Sequence, residues 1–156
     1  MPFTLTKTTP DDLHSLYQIQ LDQDANHMAA FTSESGTDFS LYFEKYAKHL
    51  DDPKISMWTI RIEQQIIGSV AKFVMAEDSG ITYWIDKEFW GKGIATGALM
   101  QLLQHETARP IYAYVAFDNS GSQRVLEKCC FRKIGSDKGF AKARQAEIEE
   151  FIYRLD

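Results

Sequence analysis

The sequence has few of the residues that build covalent or metal-bound frameworks. Among its 156 residues are two cysteines, Cys129 and Cys130. Because they are adjacent, they offer neither a loop-closing disulfide nor a set of zinc ligands. The four histidines lie apart, without metal-ligand spacing, at His14, His27, His49 and His105. We therefore predict no metal site, and two small helix-end cysteines in a reducing compartment.

Long apolar runs and an excess of positive charge are also absent. The longest apolar stretch, residues 66–76, is interrupted by Gly68 and Lys72 and is too short to span a bilayer. Seventeen basic against 22 acidic residues give a net charge of −5, which disfavours a generic nucleic-acid binder. Asp11 and Asp12 interrupt the start before a signal-peptide core develops. We expect a cytoplasmic protein whose partners include neither membrane nor nucleic acid.

A glycine-rich turn between a predicted strand and a predicted helix is the most informative part of the chain. Residues 79–85 are rich in β-branched and aromatic side chains, as strands are. The turn at residues 90–93 contains two glycines, and a helix follows from near Ile94. Glycines let the backbone approach a ligand, and the first helical turn leaves amide donors unpaired. Those donors favour a diphosphate, to which Thr96 can add a hydroxyl.

Two other phosphate-binding motifs fit this turn poorly. The Walker motif requires Lys and then Ser or Thr after its last glycine, whereas Gly93 is followed by Ile94 and Ala95. The dinucleotide fingerprint requires Gly or Ala three positions after Gly93, where Thr96 lies. A nucleotide-binding protein and a turn without a ligand stay open as alternatives.

Residues 90–95, Trp-Gly-Lys-Gly-Ile-Ala, resemble the acyl-coenzyme A pyrophosphate loop of the GNAT superfamily of N-acetyltransferases. That loop is usually Arg or Gln, two residues, Gly, one residue, then Gly or Ala. Trp90 stands at the first position, and this exchange resembles the branch of ribosomal-protein N-terminal acetyltransferases. The resemblance implies that acetyl-coenzyme A (acetyl-CoA) binds here. The implied cofactor-binding residues are Ile85, Trp90, Gly91, Lys92, Gly93, Ile94, Ala95 and Thr96.

A second segment, residues 115–131, resembles the strand and helix that follow in the same family. Asn119 or Ser120 can cap a helix that runs to about Cys129, and such a cap is the structural alternative to a functional role. In the family this asparagine contacts coenzyme A near the acceptor amine. The resemblance therefore implies a cofactor contact for Asn119 and a hydrogen bond near the thiol for Ser122.

The second segment departs from the family pattern at two positions. Many relatives place a tyrosine seven residues after the asparagine, as the acid for the leaving thiolate, and this position is Leu126. The glycine before the final phenylalanine is Cys130, where a left-handed helix terminator makes any side chain costly. Ser122 is therefore our candidate for the hydrogen bond to the thiolate.

The order of predicted elements resembles the GNAT architecture over the whole chain. It implies one α/β domain, residues 1–156, with a mixed twisted sheet flanked by helices. The predicted strands cover residues 3–8, 57–62, 66–75, 79–85, 111–115 and 148–155, and the predicted helices cover residues 10–21, 38–50, 94–103 and 120–129. Residues 22–37 are predicted to be irregular.

The resemblance implies acetyl transfer from acetyl-CoA to a primary amine of a small molecule or of a protein N-terminus. A neutral amine attacks the thioester, amides near Ile85 stabilise the oxyanion, and coenzyme A leaves as the thiolate. The amine must lose its proton, so Glu34, Asp86 and Tyr83 are candidate bases. An acyl-coenzyme A-binding module without turnover is the alternative function. The oligomeric state is left open, with a homodimer among the options.

Two further segments are candidates for the acceptor site. Residues 27–32, which begin with His27, can contact substrate or form a loop pinned to the core by Met28 and Phe31. Lys142 and Arg144 can receive an acidic substrate group or form a solvated surface.

Overall fold

The computed structural model describes residues 2–32 and 37–156, and its seven strands form one sheet. The strands are β1 (Thr4–Lys7), β2 (Ser56–Ile62), β3 (Gln65–Met75), β4 (Asp78–Ile85), β5 (Ile111–Ala116), β6 (Arg132–Ala141) and β7 (Ala146–Leu155), in the order β1-β2-β3-β4-β5-β7-β6. The helices are α1 (Leu13–Gln20), α2 (Gln23–Ala29), α3 (Phe39–Asp51), α4 (Ile94–His105) and α5 (Ser120–Lys128). Short 3₁₀ turns at Pro10–Asp12 and Lys87–Phe89 precede α1 and α4.

The sheet opens between β4 and β5. These two strands run parallel and pair only at Ser79 with Ile111 and at Gly80 with Tyr112. Both strands continue for several residues beyond these pairs, so a gap separates their carboxyl ends. The turn before α4 and the turn before α5 lie at this same end, because each helix follows one of the two strands. Ligands of open α/β sheets bind in such crevices.

Helices cover both faces of the sheet, as the alternation of buried strand residues requires. On β3, Val70 packs in the core beneath α4 and α5, whereas the next residue, Ala71, packs in the core beneath α1 and α3. The helix α2 contacts the end of β5, where Ala30 and Ala116 are buried together. The predicted fold class, a mixed sheet flanked by helices, is therefore confirmed.

One predicted element assignment is wrong, and one strand was not predicted. Residues 22–37 contain α2, whose start is fixed by the Asp22 carboxylate accepting a hydrogen bond from the Ala25 amide at 2.8 Å. The strand β6 lacks the alternation that predicts a strand, because it is an edge strand with most side chains exposed on both faces. Cys130 has a φ of +71°, so the left-handed terminator that the cysteine side chain put in question is present after α5.

In the described part of the chain, no helix is both long and apolar enough to cross a membrane. The cytoplasmic location stays a prediction.

Candidate active site

The turn before α4 presents unpaired amide groups to solvent. Gly91 and Gly93 have φ values of +74° and +78°, a left-handed conformation that favours glycine. The Gly97 amide bonds to the Gly93 carbonyl at 3.1 Å, which leaves the amides of residues 94–96 without intrahelical acceptors. No side chain caps this helix. A Cβ built on either glycine meets no protein atom within 4 Å, so the space in front of these donors is open.

The predicted cofactor-binding side chains of this turn have different surroundings. The Trp90 indole donates a hydrogen bond to the Ile85 carbonyl at 2.8 Å and so fastens the turn to the end of β4. Lys92 is exposed, whereas Ile94 is buried in the core. Ala95 and Thr96 are half-buried on the first turn of α4. Ile94 can therefore meet a ligand only through its backbone, and Lys92 can meet one through its ammonium group.

The end of β4 directs a backbone amide into the gap. The Asp86 amide donates to the Ile67 carbonyl on β3 at 2.7 Å. Because successive residues of a strand direct their amides to opposite sides, the Ile85 amide points away from β3 and towards the gap. A donor fixed in this way can stabilise negative charge on a carbonyl oxygen.

A chain of hydrogen bonds crosses the gap from β4 to α2. The Tyr83 hydroxyl on β4 bonds to the Ser122 hydroxyl on α5. The Asn119 side-chain oxygen accepts from the Ser122 amide at 3.2 Å, so Asn119 is the N-cap of α5. The Asn119 amide group donates to the Met28 carbonyl at 3.3 Å. The structure thus brings together three of the predicted catalytic residues.

The surroundings of Tyr83 argue against its prediction as a base. Burial raises the pKa of Tyr83 to about 12, despite the opposing effect of the Ser122 hydrogen bond. A phenol with this pKa keeps its proton at neutral pH. Tyr83 is therefore suited to donate a hydrogen bond and not to accept a proton.

The carboxylate candidates lie apart from this chain of hydrogen bonds. Asp86 accepts a hydrogen bond from the Glu88 amide at 3.0 Å. Its position, three residues after Tyr83 in extended backbone, puts its side chain on the opposite face of the sheet. There it lines an open cavity of about 740 Å³ together with residues of α1. Glu34 lies outside the described residues.

Arg144 has a structural role that the sequence did not reveal. Its side chain is only 9% exposed and makes two hydrogen bonds to the Asp118 carboxylate, at 2.8 and 2.9 Å. It also donates to the His27 carbonyl at 2.6 Å. The prediction of a solvated surface is therefore wrong for Arg144, although Lys142 is exposed. No local pattern could have indicated a pair separated by 26 positions.

The segment that begins with His27 is held in place through its backbone. Besides the bonds to the His27 and Met28 carbonyls, the Ala30 carbonyl accepts a hydrogen bond from the Ala143 amide at 3.1 Å. Phe31 packs beside the buried Ala30. The segment is therefore held by its backbone and by Phe31, and the exposed His27 side chain stays a candidate substrate contact.

Removing the pair of Asp118 and Arg144 is expected to loosen this segment. We expect Asp118→Asn to lower the free energy of unfolding by about 1 kcal/mol, because Asp118 is 38% exposed and water screens the pair. Urea unfolding of Asp118→Asn, of Arg144→Gln and of the variant with both substitutions measures the coupling energy between the two side chains. Additive losses would contradict a direct interaction.

The same pair predicts a dependence of stability on pH. Arg144 hydrogen bonds hold the pKa of Asp118 below its ordinary value of 3.8. The stabilisation is therefore complete above pH 3.8 and is lost as the pH falls through the lowered pKa.

Comparisons with known proteins agree with this geometry. The family model described as acetyltransferase (GNAT) domain matches residues 3–132. An N-acetyltransferase from Staphylococcus aureus Mu50 has a TM-score of 0.85 at 15% identity, covering 100% of this chain and 99% of its own. RimL, a ribosomal-protein alpha-N-acetyltransferase in complex with coenzyme A, has a TM-score of 0.84 at 17% identity, and the match covers 98% of this chain and 93% of RimL. The microcin self-immunity acetyltransferase MccE, in complex with acetyl-CoA and AMP, has a TM-score of 0.80 at 20% identity, and the match covers 98% of this chain and 91% of MccE. No curated protein sequence matches the chain.

At these low identities the solved structures show the shared fold, and the family model supplies the relationship in sequence. Its match includes both the turn at residues 90–96 and the start of α5. The predicted donor, acetyl-CoA, is the acyl donor of this family. The chain therefore belongs to the GNAT family and is an acetyl-CoA-dependent N-acetyltransferase.

Proposed function

We propose that this protein transfers the acetyl group of acetyl-CoA to a primary amine of a small molecule or of a protein N-terminus. The observation that carries the proposal is the gap between β4 and β5, with the open amides of α4 at its end. RimL, which has the same fold, acts on ribosomal protein, and this supports a protein N-terminus as one acceptor class.

The cofactor is held mainly by backbone groups in this proposal. The pyrophosphate binds the amides of residues 91–96, where the positive end of the α4 dipole favours an anion. Thr96 can add its hydroxyl and Lys92 its ammonium group. The thioester lies in the gap, with its carbonyl oxygen facing the Ile85 amide. Asn119 keeps Ser122 beside the sulfur through the cap of α5.

The transfer itself needs one bond formed and one broken. The amine nitrogen attacks the thioester carbon, and negative charge develops on the oxygen beside the Ile85 amide. The carbon–sulfur bond then breaks, and its electron pair stays on sulfur as a thiolate. Ser122 donates a hydrogen bond to this thiolate, since Leu126 has no donor. The proton lost by the amine passes to a base or to solvent.

Asp86 and Glu34 are the proposed carboxylate bases. Asp86 follows Ile85 directly in the chain and lines the cavity beside α1, and we propose that the amine approaches from this face of the sheet. For the true base, we expect substitution by the amide, Asp86→Asn or Glu34→Gln, to remove the rising limb of kcat/KM against pH, with about a 100-fold loss. If both variants keep the parental profile and rate, either the base is another residue or the amine enters already deprotonated.

The acceptor class is tested by measuring thiol release from acetyl-CoA with four kinds of amine. These are peptides with a free N-terminus, a polyamine, free amino acids and an aminoglycoside. The same peptides with an acetylated N-terminus serve as matched controls. We expect release with at least one class, and mass spectrometry identifies the acetylated nitrogen. Acetyl-CoA binding without release by any class would contradict the proposal and favour a binding module.

A further inference from the structure

The hydrogen bond between Tyr83 and Ser122 joins two elements on opposite sides of the gap. Tyr83 lies on β4 and Ser122 on the first turn of α5, 39 positions later in the chain. The Tyr83 hydroxyl also lies 3.4 Å from the Ser122 carbonyl oxygen. The phenol thus ends at Ser122, and its ring packs against the core beneath α4 and α5.

Helix α5 itself supplies no second hydroxyl at this place. Leu126 lies one turn after Ser122, on the same side of the helix, and is 1% exposed. An apolar side chain fills that position, so the hydroxyl partner of Ser122 comes from the neighbouring strand.

The hydrogen bonds around Ser122 determine where its own proton can point. Asn119 accepts from the Ser122 amide, so that group is occupied. Geometry alone allows either hydroxyl to be the donor of this bond. We assign the Tyr83 hydroxyl as the donor to the Ser122 oxygen, because a phenol is the stronger acid and because it also donates towards the Ser122 carbonyl. The Ser122 proton then remains for a third atom. A hydroxyl that already accepts one hydrogen bond is a stronger donor for the next.

We infer that Tyr83 is a positioning residue that fixes and polarises the Ser122 hydroxyl as the hydrogen-bond donor to the coenzyme A thiolate. This inference rests on the proposed role of Ser122. Tyr83 takes no proton and does not touch the substrate; it acts through Ser122 alone. It thereby compensates for the absence of a donor at Leu126.

The inference is tested with coenzyme A and desulfo-coenzyme A, without any acceptor amine. Hydrogen bonds to a thiolate lower the pKa of the bound thiol below its free value of about 8.5. The affinity for coenzyme A therefore rises, relative to that for the desulfo analogue, as the pH increases from the pKa of the bound thiol to the pKa of the free thiol. Calorimetry between about pH 6.5 and 9.5 measures the ratio of the two dissociation constants. If binding lowers the thiol pKa by one unit, the affinity for coenzyme A relative to the desulfo analogue increases about tenfold over this range, and we call this increase the gain.

We expect Ser122→Ala to abolish this gain and Tyr83→Phe to reduce it to about threefold or less. The double variant should behave as Ser122→Ala does, because Tyr83 acts only through that hydroxyl. Tyr153→Phe is the matched control, since Tyr153 is buried in the same core and is not part of the site. Tyr153→Phe should keep the full gain, and desulfo-coenzyme A should bind all folded variants with similar affinity.

Three outcomes would overturn the inference, and they differ in what else they exclude. If Tyr83→Phe keeps the full gain of the parent while Ser122→Ala loses it, the role of Tyr83 is excluded and that of Ser122 is not. If Ser122→Ala keeps the full gain of the parent, the proposed role of Ser122 is excluded as well. Tighter binding of both coenzyme A and its desulfo analogue to Tyr83→Phe, at every pH, would instead show that the phenol obstructs the gap.

Discussion

Replacing Gly93 with valine is expected to weaken acetyl-CoA binding by a factor of ten or more, roughly 1.4 kcal/mol. Gly93 precedes α4 with a φ of +78°, and the space beside it holds no protein atom within 4 Å. A valine side chain would occupy the space that we assign to the pyrophosphate. It would also strain the left-handed backbone by about 1–2 kcal/mol, which tilts the amides of the turn.

The control for Gly93→Val is a ligand that lacks the pyrophosphate. S-acetylpantetheine carries the thioester but no phosphate at this turn, so we expect it to bind the folded variant and the parent equally. Circular dichroism and urea unfolding check that the variant is folded. Calorimetry that gives an unchanged dissociation constant for acetyl-CoA in a folded variant would exclude the turn as the pyrophosphate site.

Ser122→Ala is expected to lower kcat by about 100-fold while changing the acetyl-CoA dissociation constant by less than about threefold. The hydrogen bond to sulfur strengthens only as the carbon–sulfur bond breaks and charge develops there. The variant keeps the cap of α5, because Asn119 accepts from the backbone amide of this residue. A single-turnover experiment separates the chemical step from product release.

Ser120→Ala is the matched control for this variant. Ser120 is exposed and lies two residues earlier on the same helix, and its replacement by alanine likewise removes one serine hydroxyl. We expect its kcat to equal that of the parent. Equal losses in binding and turnover for Ser122→Ala would reduce Ser122 to a cofactor contact.

The sequence alone determined the parts of the site that depend on neighbouring residues. The glycines before α4, its open amides and the Asn119 cap of α5 follow from local backbone chemistry, in which a few consecutive residues decide how a helix begins. The sequence left the turn at Cys130 in question, because its position after a helix favours a left-handed residue whereas its side chain makes that conformation costly. The order of most strands and helices followed from local periodicity in the same way.

Only the tertiary structure decided which distant side chains meet. Tyr83 was predicted as a base, but its partner Ser122 is 39 positions away, and burial at that contact raises its pKa to about 12. Arg144 and the His27 carbonyl are 117 positions apart in the chain. They meet because Arg144 lies in the turn between β6 and β7, and β7 pairs with β5. Periodicity describes one element at a time, whereas burial and hydrogen-bond partners depend on how elements pack, so these contacts have no local signal.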